Sequence, residues 1–443
     1  MQSSSSTIFG TDGIRKRVGV APLSPDTLPQ LGYATGLWAQ QKYGSAVNII
    51  IAQDTRESCD EIKMGLARGL LAHTIMLSDA GVLPTPATYL LAKNDSTIHC
   101  AIVISASHNP YYDNGIKIID AKTGKISAED EALISAYYYD TNAIMRVDAI
   151  GTMRQLEHAQ QTYADMLIAR FPKNLLAGKK IIIDCAHGAT YQIAPLIFKA
   201  LGADLTVINA QPSGQNINDT CGATDPQQLQ AAVLAHNADM GFAFDGDGDR
   251  VTVVSSVGEI KDGDDILAML MTDPTYASEQ VIVGTIMSNC ALSNFAAQND
   301  KHLACTNVGD KHVVRYMKKH NCILGGEPSG HIIMTDYLDS SDGIYTALRL
   351  VQALQVTYNW AMHSFTHYPQ VIINMPVTEK KDLTKPEIQQ IFAMHEQLLK
   401  GGRIIVRYSG TENILRIMVE DSTHDNSLSL AHSLADAFSK QLS

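Results

Sequence analysis

The sequence contains no run of apolar residues approaching the ~18 to 20 needed to cross a bilayer, which excludes a helical membrane span. Its serine-rich start, Met1 to Thr7, lacks the basic-then-apolar pattern of a secretory leader. Cysteine is sparse and scattered: Cys59, Cys100, Cys185, Cys221, Cys290, Cys305 and Cys322 form no CxxC pair, and seven is an odd number. A disulfide framework or a zinc knuckle is therefore disfavoured, and free thiols in a reducing cytoplasm are expected. No Lys/Arg block occurs, and 34 basic against 46 acidic side chains give a formal charge of −12. A nucleic-acid partner is disfavoured, because its affinity would come mainly from neutralising phosphates. The chain also lacks a Gly-x-Ser-x-Gly elbow and a Walker A sequence. That removes the α/β-hydrolases and the P-loop NTPases.

What is present is ordinary for packed domains: 443 residues, 45% hydrophobic and 18% charged. At about 150 residues per domain, length alone predicts roughly three domains. One pattern recurs, a short apolar strand leading into a polar turn and then a helical stretch. It is seen at Val47 to Ile51 before Asp54-Thr55-Arg56, at Ile98 to Ile104 before Ser105, and at Lys180 to Ile183 before Asp184. Met240 to Phe244 before Asp245 and Val281 to Val283 before Thr285 continue it. Continuous apolar strands alternating with helices predict parallel sheets covered on both faces. Ligands in such folds bind beyond the carboxyl ends of the strands, where these polar turns fall. A smaller α+β unit is expected from Val371 onward, ending in a helix over 428–441.

The sharpest chemical signal is Asp245-Gly246-Asp247-Gly248-Asp249-Arg250. Carboxylates on alternate residues of a glycine turn can converge on one hard divalent cation. An EF-hand would need glycine and glutamate at the sixth and twelfth loop positions, where Arg250 and Ser256 stand. A second signal is Ser105-Ala106-Ser107-His108-Asn109-Pro110, followed by Asp113-Asn114-Gly115-Ile116-Lys117. A serine at a strand end can be a nucleophile when its surroundings activate it, or simply a turn residue. Two further loops carry polyol and anion readers: Gly325-Gly326-Glu327-Pro328-Ser329-Gly330-His331, and Arg407-Tyr408-Ser409-Gly410-Thr411-Glu412-Asn413 with Arg416 beyond. Guanidinium, hydroxyls and exposed backbone N–H groups suit a phosphate dianion. Phe9-Gly10-Thr11-Asp12-Gly13-Ile14-Arg15 adds a compact turn ending in arginine.

These five segments, in this order, resemble the α-D-phosphohexomutase family over nearly the whole chain. Their wording is nearest the branch that acts on glucosamine phosphates. The resemblance implies three successive similar α/β domains plus a smaller C-terminal α+β domain around a central cleft. The boundaries expected are 1–154, 155–254, 255–366 and 367–443, carrying in turn the phosphoserine, metal, sugar and phosphate loops. It implies that Ser107 carries a phosphoryl group, with Ser105 a structural strand-end residue. Asp245, Asp247 and Asp249, with a phosphoserine oxygen at Ser107, would hold one Mg²⁺ per active site. Lys117 matches the general acid/base position, with His108 and Arg15 as further catalytic groups. Arg250, Glu327, Ser329, His331, Arg407, Ser409, Gly410 and Thr411 match substrate-binding positions. The expected partner is a hexose or hexosamine phosphate; the chain would be a monomer or homodimer. Pro328 and Asn413 depart from that branch's wording, as does Lys16 after Gly-Ile-Arg. Proline removes a backbone donor, so Pro328 bears on sugar identity, leaving mannose or glucose phosphates as rival substrates. Two rival functions also stay open at this level: a catalytically silent sugar-phosphate binder and a metal-dependent phosphatase.

Overall fold

The computed structural model describes residues 7–10, 12–140, 151–409 and 413–442. Two compact units form: Met1–Ile286 with Ala304–His363, and Met287–Leu303 with Ser364–Ser443. In the first unit, the strands Val47–Gln53, Ile75–Val82 and Cys100–Ile104 pair in parallel. Cys100–Ile104 is buried along its whole length, as an apolar strand covered on both faces must be. The chain then returns through Asp113–Asp120, antiparallel to Cys100–Ile104. Ile14–Arg17 closes that edge, with Arg15 opposite Gly115. A core of Leu31, Trp38, Ile49, Ile51, Ile102 and Ile104 fills one side of the sheet.

The second sheet repeats the plan. Met240–Phe244 runs parallel to Lys180–Asp184, which runs parallel to Asp204–Ile208. Met240–Phe244 then turns back as Val251–Ser255, antiparallel to it. In a third sheet Val281–Thr285 runs parallel to Leu324–Gly326, and Ile332–Met334 returns antiparallel. The parallel strands expected from the apolar runs therefore form the sheet centres. Antiparallel returns, which the strand–turn–helix pattern does not signal, form the edges. Each return leaves a short loop at a strand end: Ser105 to Tyr112, Asp245 to Arg250, and Glu327 to His331.

The second unit is built differently. Gln370–Pro376, Ile414–Glu420 and Arg403–Tyr408 make an antiparallel sheet. Along Gln370–Pro376 exposure alternates residue by residue, the signature of a sheet with one wet face. Val371, Ile373 and Met375 pack on a core of Leu415, Ile417, Leu434 and Phe438, the last two from the helix His424–Leu442. Among the described residues no helix is long and apolar enough to cross a membrane. All seven cysteines are free; Cys305 is exposed and Cys290 half-buried.

Candidate active site

Two strand-end loops of the first unit meet. Ser107 follows Cys100–Ile104 and has a left-handed backbone, φ +53°, which is unusual for a residue with a Cβ. Its Oγ donates a 2.7 Å hydrogen bond to Asp245 Oδ2. Asp245 opens the hairpin loop between Met240–Phe244 and Val251–Ser255, and its Oδ1 accepts from the Arg250 N–H at 3.1 Å. The two glycines of this loop serve different ends. Gly248 has φ +75°, whereas a Cβ on Gly246 would sit 2.5 Å from the Ser107 carbonyl oxygen. Spatial proximity, not backbone angle, excludes a side chain at Gly246. Flanking segments lock the loop: the Thr85 N–H donates to Asp247 O at 2.9 Å, and Gly343 N–H to Gly248 O at 3.0 Å.

Asp245, Asp247 and Asp249 are buried, with one carboxylate oxygen from each lying within 4.8 Å of the others. Burial first, then the neighbouring Asp249 and Asp247 charges, push the Asp245 carboxyl up to about 8. Asp247 Oδ1 and Asp249 Oδ1 are buried without a hydrogen-bond partner. Unsatisfied, mutually repelling carboxylate oxygens of this kind fit a hard divalent cation held through oxygen. The acidic triad could bind such a metal.

Cations surround the triad. Lys117, buried on Asp113–Asp120, donates to Asp247 Oδ2 at 2.7 Å and Asp249 Oδ2 at 2.9 Å, with Asp12 Oδ2 at 3.4 Å. Burial works against the charged amine, but Asp12, Asp247 and Asp249 outweigh it and hold its pKa well above the usual value. His331 lies between two carboxylates, Nδ1 3.7 Å from Asp249 and Nε2 3.3 Å from Asp310. Burial opposes its charge, yet Asp249 and Asp310 raise its pKa to about 10. His108 behaves oppositely: burial, then Arg250 and Arg15, lower it to about 4. It is a neutral ring whose Nδ1 stands 3.4 Å from Ser107 Oγ. Arg15 pairs with Asp12, and Arg250 Nε lies 4.0 Å from Asp245 and 3.9 Å from Asp249.

The third loop brings Glu327, which is buried and accepts from the Gly309 N–H at 2.9 Å; Ser329 is exposed. Thus Ser107, His108, Lys117, Arg15, the three aspartates, Arg250 and His331 form one network. In the second unit, considered by itself, Arg407 stands opposite Arg416 across the sheet. Ser409 is buried, and its carbonyl accepts from Lys380 Nζ at 2.6 Å. Gly410 and Thr411 lie outside the described residues.

Sequence reasoning missed three charged members of the network. Asp12 lies inside the Phe-Gly-Thr-Asp-Gly turn, and it takes Lys117, Lys125 and Arg15 as partners. Asp310 begins the helix Asp310–His320 and pairs with Lys125. Asp12 could have been flagged from its turn; Lys125 and Asp310 carry no local signal.

Comparison with known proteins agrees with this geometry. Four profiles of the phosphoglucomutase/phosphomannomutase family match in succession: α/β/α domain I at residues 6–144, domain II at 161–258, domain III at 262–368 and the C-terminal domain at 372–437. The phosphoglucosamine mutase of Campylobacter curvus is 39% identical over 428 residues, covering 93% of this chain and 94% of that one. That of Hydrogenovibrio crunogenus is 40% identical over 420 residues, covering 93% of each. The Pectobacterium carotovorum protein of the same name is 39% identical, covering 97% of this chain and 98% of that one. Among solved structures, a phosphoglucomutase/phosphomannomutase family protein of Burkholderia thailandensis superposes with a TM-score of 0.79 at 22% identity, covering 99% and 98% of the two chains. Aspergillus fumigatus N-acetylphosphoglucosamine mutase, solved with GlcNAc-6P and magnesium, gives 0.67 at 18% identity over 100% and 98%. The chain belongs to the α-D-phosphohexomutase family, where its resemblance is to the phosphoglucosamine mutases.

Proposed function

We propose that the protein is a phosphoglucosamine mutase, interconverting glucosamine 6-phosphate and glucosamine 1-phosphate through a phosphoserine and a bisphosphorylated sugar. The observation that carries this reading is Ser107 Oγ hydrogen-bonded to Asp245 within a triad that has buried, unsatisfied oxygens. A serine and a cation-ready carboxylate cluster in one place are what phosphoryl transfer requires. The same reading divides the chain at 154/155, 254/255 and 366/367; the four successive profile matches support a division into four, with the first cut between two matches and the other two a few residues inside the matches ending at 258 and 368.

In the forward direction the bond from phosphorus to Ser107 Oγ breaks as a sugar hydroxyl oxygen bonds to phosphorus. The hydroxyl proton ends on the Ser107 oxygen that the phosphoryl group leaves, by way of a base beside it, and the bisphosphorylated sugar forms. After the sugar turns over, its other phosphoryl group returns to Ser107. As Ser107 Oγ bonds to phosphorus its hydroxyl gives up a proton that ends on the departing sugar oxygen, and the acceptors in reach are Asp245 Oδ2 at 2.7 Å and His108 Nδ1 at 3.4 Å. Lys117, held protonated by its carboxylates, is a proton donor and a source of positive charge at the reacting end. Asp245, Asp247 and Asp249 would hold Mg²⁺, whose chemistry is to neutralise charge on the phosphoryl oxygens. Glu327, Ser329 and His331 would read sugar hydroxyls. Arg407, Ser409, Gly410 and Thr411 would grip the phosphate that is not reacting. A charged clamp of this kind binds either end of the substrate.

Intact-mass analysis tests the reading. One added phosphate mapped to Ser107 is expected, and Ser107→Ala should lose turnover while still binding sugar phosphate. A fully active Ser107→Ala variant would sink the mechanism. Comparing kcat/KM for glucosamine, mannose and glucose phosphates tests the sugar; glucosamine phosphate should be the best of the three.

A further inference from the structure

The strand-end turn Asp54-Thr55-Arg56 touches neither the aspartate triad nor Lys117, yet it is among the most buried polar groups of the chain. The Arg56 side chain is fully buried, and all five of its N–H donors are used. Nε donates to Asp54 Oδ2 at 2.9 Å. Nη2 donates to the carbonyls of Ser107 at 2.9 Å and Asn109 at 2.8 Å. Nη1 donates to the carbonyl of Asp113 at 3.1 Å and to that of Pro110. Four of the five acceptors are thus main-chain carbonyls of one segment, 107–113.

Asp54 also controls the other side of Ser107. Its Oδ2 accepts from Ser105 Oγ at 2.6 Å, and Ser105 Oγ in turn accepts the Ser107 N–H at 2.9 Å. One carboxylate therefore holds Ser107 by both peptide groups, through Ser105 on the N–H and through Arg56 on the C=O. Asn218, from the segment beside the metal loop, adds a 2.9 Å bond to the Ser107 carbonyl.

We infer that Asp54, Arg56 and Ser105 are positioning residues: they hold Ser107 in its left-handed conformation so that Oγ is delivered to Asp245. The inference rests on the reading of Ser107 as the phosphoryl carrier, and it gives Ser105 a specific task in place of a general strand-end role. A serine in the left-handed region relaxes toward the extended region when its peptide groups are released. Relaxation would swing Oγ away from Asp245 without disturbing groups that touch the sugar. The four carbonyls are hydrogen-bonded to a permanently charged guanidinium with a rigid fork, so lysine at this position cannot serve them all.

The test is pre-steady-state. Phosphorylated enzyme is mixed with glucosamine 6-phosphate, and loss of the Ser107 phosphate is followed by intact mass, alongside steady-state kcat and KM. For Ser105→Ala and Arg56→Lys the transfer rate and kcat should fall about 100-fold, the scale of a misplacement near 1 Å, with KM within about threefold. Cys59→Ala is the structural control, because Cys59 Sγ contacts Asp54 Oδ1 at 3.2 Å and meets the strands flanking the serine loop, at the Ile104 carbonyl (3.8 Å) and Asn114 Nδ2 (3.4 Å), while holding neither peptide group of Ser107. It should lower the thermal midpoint while leaving kcat within about twofold of wild type. Wild-type transfer rates in Ser105→Ala and Arg56→Lys overturn the inference, as does a kcat loss equal to that of Cys59→Ala at matched stability. If Arg56→Lys does not fold, Ser105→Ala, which deletes one oxygen, decides; if neither folds, Asn218→Ala decides, with a kcat loss of about tenfold expected and a wild-type kcat overturning the inference. Failure of the mutase reading is separately visible as a wild-type chain that carries no phosphate at Ser107.

Discussion

Ser107 Oγ and Asp245 Oδ2 are 2.7 Å apart although 138 positions separate them in the chain. The contact joins the ends of two strands in different sheets and puts the serine proposed to carry the phosphoryl group against the carboxylate that most needs a counter-charge. Asp245 is raised to about 8 because it is buried beside Asp249 and Asp247. A divalent cation relieves that repulsion, so its binding should stabilise the folded chain.

Metal removal is therefore expected to lower the thermal midpoint. A cation present at 100 times its Kd stabilises by about 2.7 kcal/mol. Thermal unfolding in EDTA and across a Mg²⁺ titration measures this. Asp247→Ala should abolish the Mg²⁺-dependent rise; a midpoint indifferent to Mg²⁺ in the wild type would exclude the triad as a cation site.

Gly246→Ala should be more harmful to turnover than its size suggests. The added Cβ would meet the Ser107 carbonyl oxygen at 2.5 Å and Asn218 Nδ2 at 2.8 Å. The serine loop must retreat, so kcat is expected to fall by at least about tenfold, with a stability loss of about 1–3 kcal/mol from overpacking. Steady-state kinetics beside a melting curve checks both. Unchanged kcat would mean that the two loops need not approach so closely.

How much of this was legible beforehand depends on locality. The aspartate triplet, the serine turn and Lys117 each lie in one short segment whose residue types state their chemistry, and strand ends are where parallel sheets place their ligands. Asp310 and Lys125 could not be read, because an ion pair between residues so distant in sequence leaves no mark on either segment. Arg56 was visible as part of a strand-end turn, but its work is done on main-chain carbonyls, which every sequence supplies equally. The antiparallel returns escaped for a related reason: Val251 to Val254 is as apolar as a parallel strand, and direction is set by the length of the connection. In the second unit the apolar start at Val371 was local and indicated a smaller α+β unit, whereas its one wet face is seen only in the alternating exposure along Gln370–Pro376.

Away from the active site, a half-buried network predicts how stability responds to acid. Asp130 accepts from Trp38 Nε1 at 2.7 Å and Lys42 Nζ at 2.8 Å, and Asp120 accepts from Tyr43 OH at 2.7 Å. Burial alone would raise both carboxyls, but the Tyr43 hydroxyl, backbone N–H groups and Lys42 lower Asp120, and Lys42 with Trp38 lowers Asp130. Groups lowered on folding contribute stability above the unfolded carboxylate value of about 4, and lose it as pH falls through the folded value. Asp130→Asn should thus destabilise by about 0.5–1.5 kcal/mol at neutral pH, the scale of a net hydrogen bond in a partly solvated site, with the difference from wild type shrinking below about pH 4. Urea unfolding followed by tryptophan fluorescence reads it, since Trp38 is one of only two tryptophans. A difference that stays constant into acid would rule out the ionised Asp130 as its source.

Lys117→Met separates the two tasks of that side chain. Lys117 is surrounded by Asp12, Asp247 and Asp249, and removing one partner of a buried ionic cluster costs about 3–5 kcal/mol. The loss should be largest in EDTA and smaller in saturating Mg²⁺, because either cation relieves the same carboxylates. Turnover should not follow that rescue. In the proposed mechanism Lys117 is also a positioned proton donor, and losing such a donor costs about 10²- to 10⁴-fold, a loss that relieving the carboxylates does not repair. Melting curves and kcat measured over one Mg²⁺ series test this. Recovery of both together would reduce Lys117 to a structural counter-charge; recovery of stability alone identifies it as a member of the catalytic machinery.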